Sequence, residues 1–397
     1  MTRRLPDVDV LVVGAGPAGS AAAIALARLG REVTLCDRAE FPRDKPCGDL
    51  VGARALSRAR TLGIAEETLS PYASLGGAVV VGDEGELDLA PGGPIGRRLL
   101  RGIDGRVVPR RVFDAALVEA ATRAGASPAR LHVRSVGPWD GAAGGRVVTG
   151  QGSAGTVKLV AGAVVLAGGY GCRLAADLAP EVSETLAEPP RGIARRGYFD
   201  GVSAPPDRIV FTLNDWVLPG YGWVFPLPGG RANVGVGTLV GRDDDGGEHL
   251  RDLYDRFVHD PGSPVARWLA AAEPSGPART WPLDLGPRRR RLAARAAVVA
   301  GEAAGFVGPM TGAGIAFALV SGEAAGRAVA EARVSGSDEA LRRYARETSR
   351  AILPWLRAER LAQRWLADPH HLGALSRAVR PWPVTGTAGA ALLLNLG

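Results

Sequence analysis

The feature that most constrains the fold is a glycine-rich turn between a short β-branched run and an alanine-rich segment. Val8 to Val13 predicts a strand, Gly14-Ala15-Gly16-Pro17-Ala18-Gly19 follows directly, and Ser20 to Leu29 predicts a helix. In such a unit the first glycine permits the tight turn, the second lets the backbone approach a pyrophosphate, and the third lets helix and strand pack closely. The helix N-terminus offers N–H groups to the anion. The segment therefore predicts a dinucleotide-binding domain built on a parallel sheet.

A second strand and its terminal acid extend this prediction. Arg31 to Cys36 predicts the strand, and Asp37 stands at its end, where a carboxylate accepts hydrogen bonds from ribose hydroxyls. An acid there suits an adenosine with a free 2′-hydroxyl and argues against a 2′-phosphate. The turn is therefore predicted to bind NAD or FAD, and it does not choose between them.

Composition narrows the class of protein. The 397 residues are 46% apolar, enough for a substantial core and about two to three domains. No apolar run approaches the ~20 residues of a membrane-spanning helix. Net charge is +7, but the basic residues are almost all arginines, scattered among 41 acids rather than gathered in one stripe. This pattern argues against nucleic acid as a partner. It leaves anionic small molecules, acidic proteins and a membrane surface open.

Cysteine and histidine usage points to an intracellular protein without a metal site. The three cysteines form no zinc spacing and cannot all pair, which favours a reducing cytoplasm. Arg3-Arg4 imitates a twin-arginine export signal, but Asp7 and Asp9 lie where its apolar region should begin, so export is not expected. The five histidines form no triad or metal spacing, which disfavours hydrolases and metalloenzymes. The expected location is cytoplasmic, with peripheral contact to the inner face of the membrane left open.

Three further segments carry a family resemblance. They are Phe41 to Asp49 (FPRDKPCGD), Pro219 to Pro226 (PGYGWVFP) with Gly235 and Gly237 after it, and Gly301 to Gly305 (GEAAG), which continues through Pro309, Gly312 and Gly314-Ile315. With the weaker match Arg110-Arg111-Val112-Phe113-Asp114, they stand in the order found in the geranylgeranyl reductase family of FAD-dependent oxidoreductases. The chain resembles that family, of the para-hydroxybenzoate hydroxylase-like fold group, over roughly residues 8 to 330.

The resemblance implies an α/β fold. A Rossmann-like FAD-binding domain would be interrupted by an α+β substrate domain with an antiparallel β-sheet, and a helical C-terminal region would follow. The predicted boundaries are 1–75, 98–180 and 283–335 for the FAD-binding domain, 76–97 and 181–282 for the substrate domain, and 336–397 for the helical region. Residue patterns agree, because they independently predict hairpins over 76–90 and 207–240 and helices over 112–125, 247–273 and 314–332.

The resemblance also implies FAD as the cofactor and a set of residues that contact it. The set is Gly14, Gly16, Pro17, Ala18, Gly19, Asp37, Arg38, Lys45, Cys47, Gly48, Arg110, Gly301, Glu302, Gly312, Ala313, Gly314 and Ile315. Two positions depart from the family, since Gly169 and Glu302 stand where aspartates are usual. We therefore expect weakened or repositioned flavin contacts near them.

The reaction implied by the resemblance is reduction, or dehydrogenation, of C=C bonds in an apolar isoprenoid or polyene-like substrate, with hydride transfer through flavin N5. Cys47, Tyr221 and Trp223 are the catalytic candidates. Tyr198, Tyr221, Trp223 and Phe225 are the candidates for substrate binding, because alternate residues of a strand share one face. For each of them, ordinary core packing stays open as the alternative.

Other functions stay open on the sequence. The alternative is an FAD-dependent monooxygenase or tailoring enzyme acting on a free or carrier-bound intermediate, and flavin binding without redox turnover is a third. The sequence has no second strand, glycine turn and helix for a nicotinamide cofactor. Electrons are therefore expected from transiently bound NAD(P)H, from ferredoxin or from a separate reductase. The predicted partners are an apolar small molecule and an electron-donor or carrier protein.

The C-terminal third predicts an amphipathic helix. Trp355, Leu361 and Trp365 alternate there with arginines. Such a helix caps the substrate domain or lies on a membrane.

Overall fold

The structure is a computed structural model that describes residues 6–83, 85–89, 104–174, 191–240, 247–286, 291–368 and 370–371. Its strands are β1 Val8–Val13, β2 Val33–Asp37, β3 Leu50–Val51, β4 Gly77–Gly82, β5 Gly85–Leu89, β6 Arg106–Val107, β7 Ser127–Asp140, β8 Gly145–Gly152, β9 Gly155–Leu166, β10 Arg191–Asp200, β11 Arg208–Leu213, β12 Tyr221–Leu227, β13 Arg231–Val240, β14 Glu273–Pro274, β15 Arg279–Asp284, β16 Ala293–Ala294 and β17 Ala297–Val299. Its helices are α1 Pro17–Arg28, α2 Ala53–Leu62, α3 Glu66–Leu69, α4 Arg110–Arg123, α5 Gly247–His259, α6 Ala266–Leu269, α7 Ile315–Ser335 and α8 Glu339–Leu366, with a 3₁₀ turn over Gly301–Ala304.

The first sheet is built around parallel strands in the order β7-β2-β1-β9-β17. β8 joins β7 to β9 as an antiparallel strand, and β16 pairs antiparallel with β17. Val10, Leu11 and Val12 of β1 are fully buried, as expected for a strand covered on both faces. Helices α1 and α7 pack closely. A Cβ on Gly322 of α7 would lie only 2.0 Å from Ala18 O. Glycine at position 322 of α7 thus permits this close contact.

The second sheet has the strand order β14-β10-β13-β12-β11-β4-β5, and β15 also pairs with β10. The β4–β5 and β11–β12–β13 pairs are antiparallel, as the two predicted hairpin regions require. One pair, β4 with β11, is parallel. Helix α5 covers this sheet with Leu250 and Phe257, which are fully buried. The predicted fold class is therefore confirmed.

Two expectations about the helices are wrong. The helix predicted over 247–273 ends at His259, because Pro261 and Pro264 cannot continue it, and residue 273 belongs to β14. Helix α8 does not cap the second sheet. Its residues Leu341, Tyr344, Ile352 and Leu356 belong to the core around the first sheet, because its apolar face packs on α7 and on β16 and β17.

The outer surface of α8 carries apolar side chains. Trp355, Leu361 and Trp365 are 39%, 67% and 45% exposed. Contact of this surface with a membrane stays a prediction. Within the described ranges, no helix combines the length and apolarity needed to cross a bilayer.

The predicted domain boundaries stay predictions at residue level. The segments 90–103 and 175–190 hold two of these boundaries, and 372–397 is the last part of the predicted helical region. All three segments lie outside the described residues.

Candidate active site

A cavity of about 780 Å³ lies where the two sheets meet. Its wall combines the glycine turn after β1, the loop 43–48, the turn 167–174, the loop 307–315, and the neighbouring ends of β10, β13 and β15. This volume is typical of small-molecule and cofactor sites. The three motifs that carry the family resemblance therefore converge on one cavity, although they are far apart in the chain.

The glycine turn shows three different uses of glycine. Gly14 has φ +97°, and a Cβ there would lie 2.4 Å from Ala167 O. A Cβ on Gly19 would lie 1.7 Å from Gly14 O. Gly16 begins α1 as its N-cap, and a Cβ there would meet only Arg43 Nη2, at 3.5 Å. Gly14 and Gly19 are therefore required by packing, whereas Gly16 keeps the space in front of the helix N-terminus free.

Asp37 stabilises this turn. Its Oδ2 accepts a hydrogen bond from Ala15 N and its Oδ1 accepts one from Ala39 N, both at 2.9 Å. Asp37 and Arg38 both line the cavity. The acid predicted to bind ribose thus also holds the backbone of the glycine turn.

Glu302 and Gly169 are coupled through Lys45. Lys45 Nζ lies 2.8 Å from Glu302 Oε2. A Cβ on Gly169 would lie 3.5 Å from the same oxygen and 3.8 Å from Lys45 Nζ. An aspartate at 169 would therefore place a second carboxylate against Glu302. The glycine at one position and the longer acid at the other fit together, which gives the two departures from the family pattern a common physical reason.

The cavity fits FAD on two observations. The first is the free space in front of the α1 N-terminus, where no side chain caps the helix and its N–H groups can receive a phosphate. The second is Glu302 Oε1, which is buried and has no hydrogen-bond partner among the described residues. Such an oxygen needs a donor, because a buried acceptor left unpaired costs about 1–3 kcal/mol. A hydroxyl of bound FAD would satisfy it.

Cys47 lies beside a fixed positive charge. Arg110 is buried, and its Nε and Nη2 donate to Asp114 Oδ1 and Oδ2, both at 2.7 Å. Burial opposes the charge of Arg110, but the Asp114 carboxylate outweighs it and raises the pKa of Arg110 above its ordinary value, and Cys47 adds to this rise. Arg110 is thus a permanent cation next to the Cys47 thiol.

The aromatic strand β12 forms a second part of the wall. Tyr221 and Trp223 line the cavity. The ring centroids of Tyr221 and Trp223 are 5.9 Å apart, and those of Trp223 and Phe225 are 6.2 Å apart, so all three rings share one face. The Tyr221 hydroxyl donates to Thr311 O at 2.6 Å, and burial raises the pKa of Tyr221 above its ordinary range. Tyr221 thus keeps its proton and ties β12 to the loop 307–315.

Behind this wall lies a buried polar network that sequence reasoning missed. Asp49, at φ +63°, accepts from Tyr198 Oη at 2.6 Å, Asn233 Nδ2 at 2.8 Å and Arg110 N at 3.2 Å. Asn233 also donates to Cys47 O at 2.7 Å and accepts from Trp223 Nε1 at 2.9 Å. This network fixes the loop that presents Cys47 against the second sheet.

The charge of Asp49 makes stability depend on pH. Burial raises the pKa of Asp49 to about 6, against the opposing effects of Tyr198, Arg196 and Asn233. Its pKa in an unfolded chain is ~3.9, so the folded protein binds the proton more tightly. The contribution of the Asp49 carboxyl to the free energy of unfolding is therefore fully present below about pH 4 and is lost as the pH rises through about 6.

We expect Asp49→Asn, which cannot titrate, to remove about 2–3 kcal/mol of pH dependence from the free energy of unfolding over this window. Urea unfolding at both ends of the window checks this, with the exposed Asp200→Asn as the control. An unchanged pH dependence in Asp49→Asn would contradict the assignment.

The predicted FAD contacts divide into two groups. Gly19, Gly301 and Ala313 do not reach the cavity wall, and all the other predicted contacts line it. Gly301 has φ +66°, and a Cβ there would lie 2.7 Å from Ala18 Cβ, so it serves helix packing. Ala313 N donates to Thr311 Oγ1 and shapes the local turn.

Two of the predicted substrate residues lie behind the wall. Tyr198 belongs to the Asp49 network. Phe225 packs under the Cys47 loop, since a Cβ on Gly48 would lie 2.8 Å from its ring.

Sequence reasoning missed four further residues of the site. They are Asp49, Asn233, Glu359 and Gln363. Only Asp49 had a signal, because it ends the FPRDKPCGD motif. In the part of the chain that the structure describes, no three His, Cys, Asp or Glu side chains come together to hold a metal ion.

Comparison with known proteins places this site in a family. The FAD binding domain family matches residues 7–179. The chain is 33% identical over 347 residues to the menaquinone reductase of Mycolicibacterium smegmatis, covering 83% of this chain and 76% of that protein. It is 32% identical over 339 residues to digeranylgeranylglycerophospholipid reductase 1 of Methanopyrus kandleri, covering 82% and 81%. The chain belongs to the geranylgeranyl reductase family.

A solved structure agrees with this family assignment in its fold. The geranylgeranyl bacteriochlorophyll reductase-like protein of Thermoplasma acidophilum superposes with a TM-score of 0.78 at 24% identity, covering 92% of this chain and 88% of that chain. This member of the geranylgeranyl reductase family is thus an FAD-dependent oxidoreductase.

Proposed function

We propose that this protein is a reductase that saturates C=C bonds in an apolar, isoprenoid-like substrate. The observation that carries the proposal is an apolar part of the cavity wall around Gly192. Ile193, Leu239, Leu283 and Leu285 line the cavity there. Gly192 leaves room for them, because a Cβ there would lie 3.0 Å from Leu285 Cδ1. A polar, unbranched substrate would not cover these apolar side chains, and they would stay in contact with water.

The chemistry that bound, reduced FAD supplies is hydride donation from N5 to one alkene carbon. Cys47 then gives its thiol proton to the other carbon, and Arg110 stabilises the resulting thiolate until solvent returns a proton. Tyr221 is less suited to give a proton, since its hydroxyl is held by Thr311 O. Trp223, fixed by Asn233, closes the wall and excludes water.

The names of two relatives support this substrate class. One is a menaquinone reductase and the other a digeranylgeranylglycerophospholipid reductase. Menaquinone and the digeranylgeranyl lipid both carry unsaturated isoprenoid chains on a head group. We propose that a polyprenyl lipid of this kind is the substrate. The electron source stays predicted as NAD(P)H, ferredoxin or a separate reductase.

The experiment incubates the FAD-loaded protein without oxygen, with dithionite as reductant, and with menaquinone or digeranylgeranylglycerophospholipid in detergent. After the quinone ring has been reoxidised in air, mass spectrometry should show a product heavier by two hydrogen atoms for each C=C bond reduced, and free FAD with dithionite should show none. A product heavier by one oxygen atom in aerated buffer, with none formed anaerobically, would overturn the reductase and establish the monooxygenase alternative.

A further inference from the structure

The loop 308–313 forms part of the cavity wall at the predicted flavin contacts. Its backbone is closed by Gly308 N donating to Ala313 O at 2.8 Å and Gly312 N donating to Gly308 O at 2.9 Å. Pro309, Met310 and Gly312 line the cavity. The shape of this short loop therefore decides how the wall meets the cofactor.

Helix α8 contacts this loop through Glu359, which lies outside the cavity wall, and through Gln363, which lines the cavity. Glu359 is 6% exposed, and its Oε2 accepts from Thr311 Oγ1 at 3.0 Å, Met310 N at 3.3 Å and Thr311 N at 3.4 Å. Its Oε1 accepts from Trp355 Nε1 at 3.0 Å. One turn further along, Gln363 Nε2 donates to Pro309 O.

Thr311 is thus held from two sides. Its carbonyl accepts from Tyr221 on the second sheet, and its hydroxyl and N–H donate to Glu359 on α8. Gly308 leaves the room that this contact needs, because a Cβ there would lie 2.3 Å from Glu359 Oε2. A buried carboxylate is costly unless it is well hydrogen-bonded, and an apolar side chain would suffice for packing alone.

We propose that Glu359 is a positioning residue that makes α8 part of the FAD site, by holding the loop 308–313 in the shape that FAD binding requires. The residue acts through the loop and does not itself line the cavity wall. The proposal rests on the FAD site of the proposed function but is independent of the substrate and of the reaction.

The test measures the FAD dissociation constant of the apoprotein by titration with FAD, and the visible circular dichroism of the bound flavin. Glu359→Ala should weaken FAD binding about tenfold or more, since Met310 and Thr311 lose their three hydrogen bonds to α8, and should change the dichroism. Glu359→Gln keeps one acceptor oxygen and should lie between Glu359→Ala and wild type. Glu347→Ala, an exposed glutamate of the same helix, should match wild type.

A second pair of variants keeps the test valid if Glu359→Ala fails to fold. Thr311→Val removes the hydroxyl at nearly constant volume and should weaken FAD binding several-fold, whereas Thr311→Ser should not. Wild-type FAD affinity in Thr311→Val and in the folded Glu359 variants would overturn the proposal. If Glu347→Ala binds FAD with wild-type affinity, the FAD site itself is intact. Failure of the substrate assay would count against the proposed reaction and would leave these FAD affinities unchanged.

Discussion

Gly16→Val is expected to give a folded protein that binds FAD at least about 100-fold more weakly than wild type. A Cβ at this position meets only the end of the flexible Arg43 side chain, so the fold can accept the substitution. The added branches would, however, fill the space in front of the α1 N-terminus, where the pyrophosphate should lie. Titration calorimetry with FAD measures the affinity, and thermal unfolding of the apoprotein measures the stability.

Gly14→Ala is the matched control in the same turn. Its Cβ would lie 2.4 Å from Ala167 O, and φ +97° is a conformation that alanine rarely adopts. We expect this variant to lose about 3 kcal/mol or more of stability, because both strain and a backbone clash act there. Stoichiometric FAD in purified Gly16→Val would show that the pyrophosphate lies elsewhere.

Cys47→Ala is expected to lower turnover with a polyprenyl substrate by about 10²–10⁴-fold, the usual contribution of a positioned proton donor. FAD affinity should change little, because the loop is anchored by Cys47 O and Asp49 rather than by the thiol. Dithionite as reductant keeps the measurement independent of the natural electron donor. Initial rates of product formation, with dissociation constants for FAD, separate the two effects.

Cys172→Ala provides the control for the loss of a thiol, since Cys172 also lines the cavity. It should retain turnover within a few-fold of wild type. Equal rates in the Cys47→Ala and Cys172→Ala variants would remove Cys47 from the reaction and leave Tyr221 as the next candidate.

The sequence predicted the parts of the site that are local in the chain. The turn from Gly14 to Gly19 depends on backbone conformation and on contacts such as that between Gly19 and Gly14 O, which are close in the chain, so its residues carry their own signal. The same holds for the alternation of Tyr221, Trp223 and Phe225, which places three rings on one face of a strand. The helix predicted over 247–273 was wrong in its extent because Pro261 and Pro264 cannot continue a helix beyond His259.

The partners of charged and polar side chains were decided only by the tertiary structure. Lys45 meets Glu302, Asp49 meets Tyr198 and Asn233, and Glu359 meets Thr311, all across long stretches of chain. A motif reports which conformations its own residues prefer, but it does not report which distant group arrives at hydrogen-bonding distance. The sequence by itself thus determined the dinucleotide turn, and its resemblance to the family implied the two-domain fold and FAD. Packing between the sheets and α8 decided which buried carboxylates shape the site, because burial makes each of them depend on the donors that the fold brings to it.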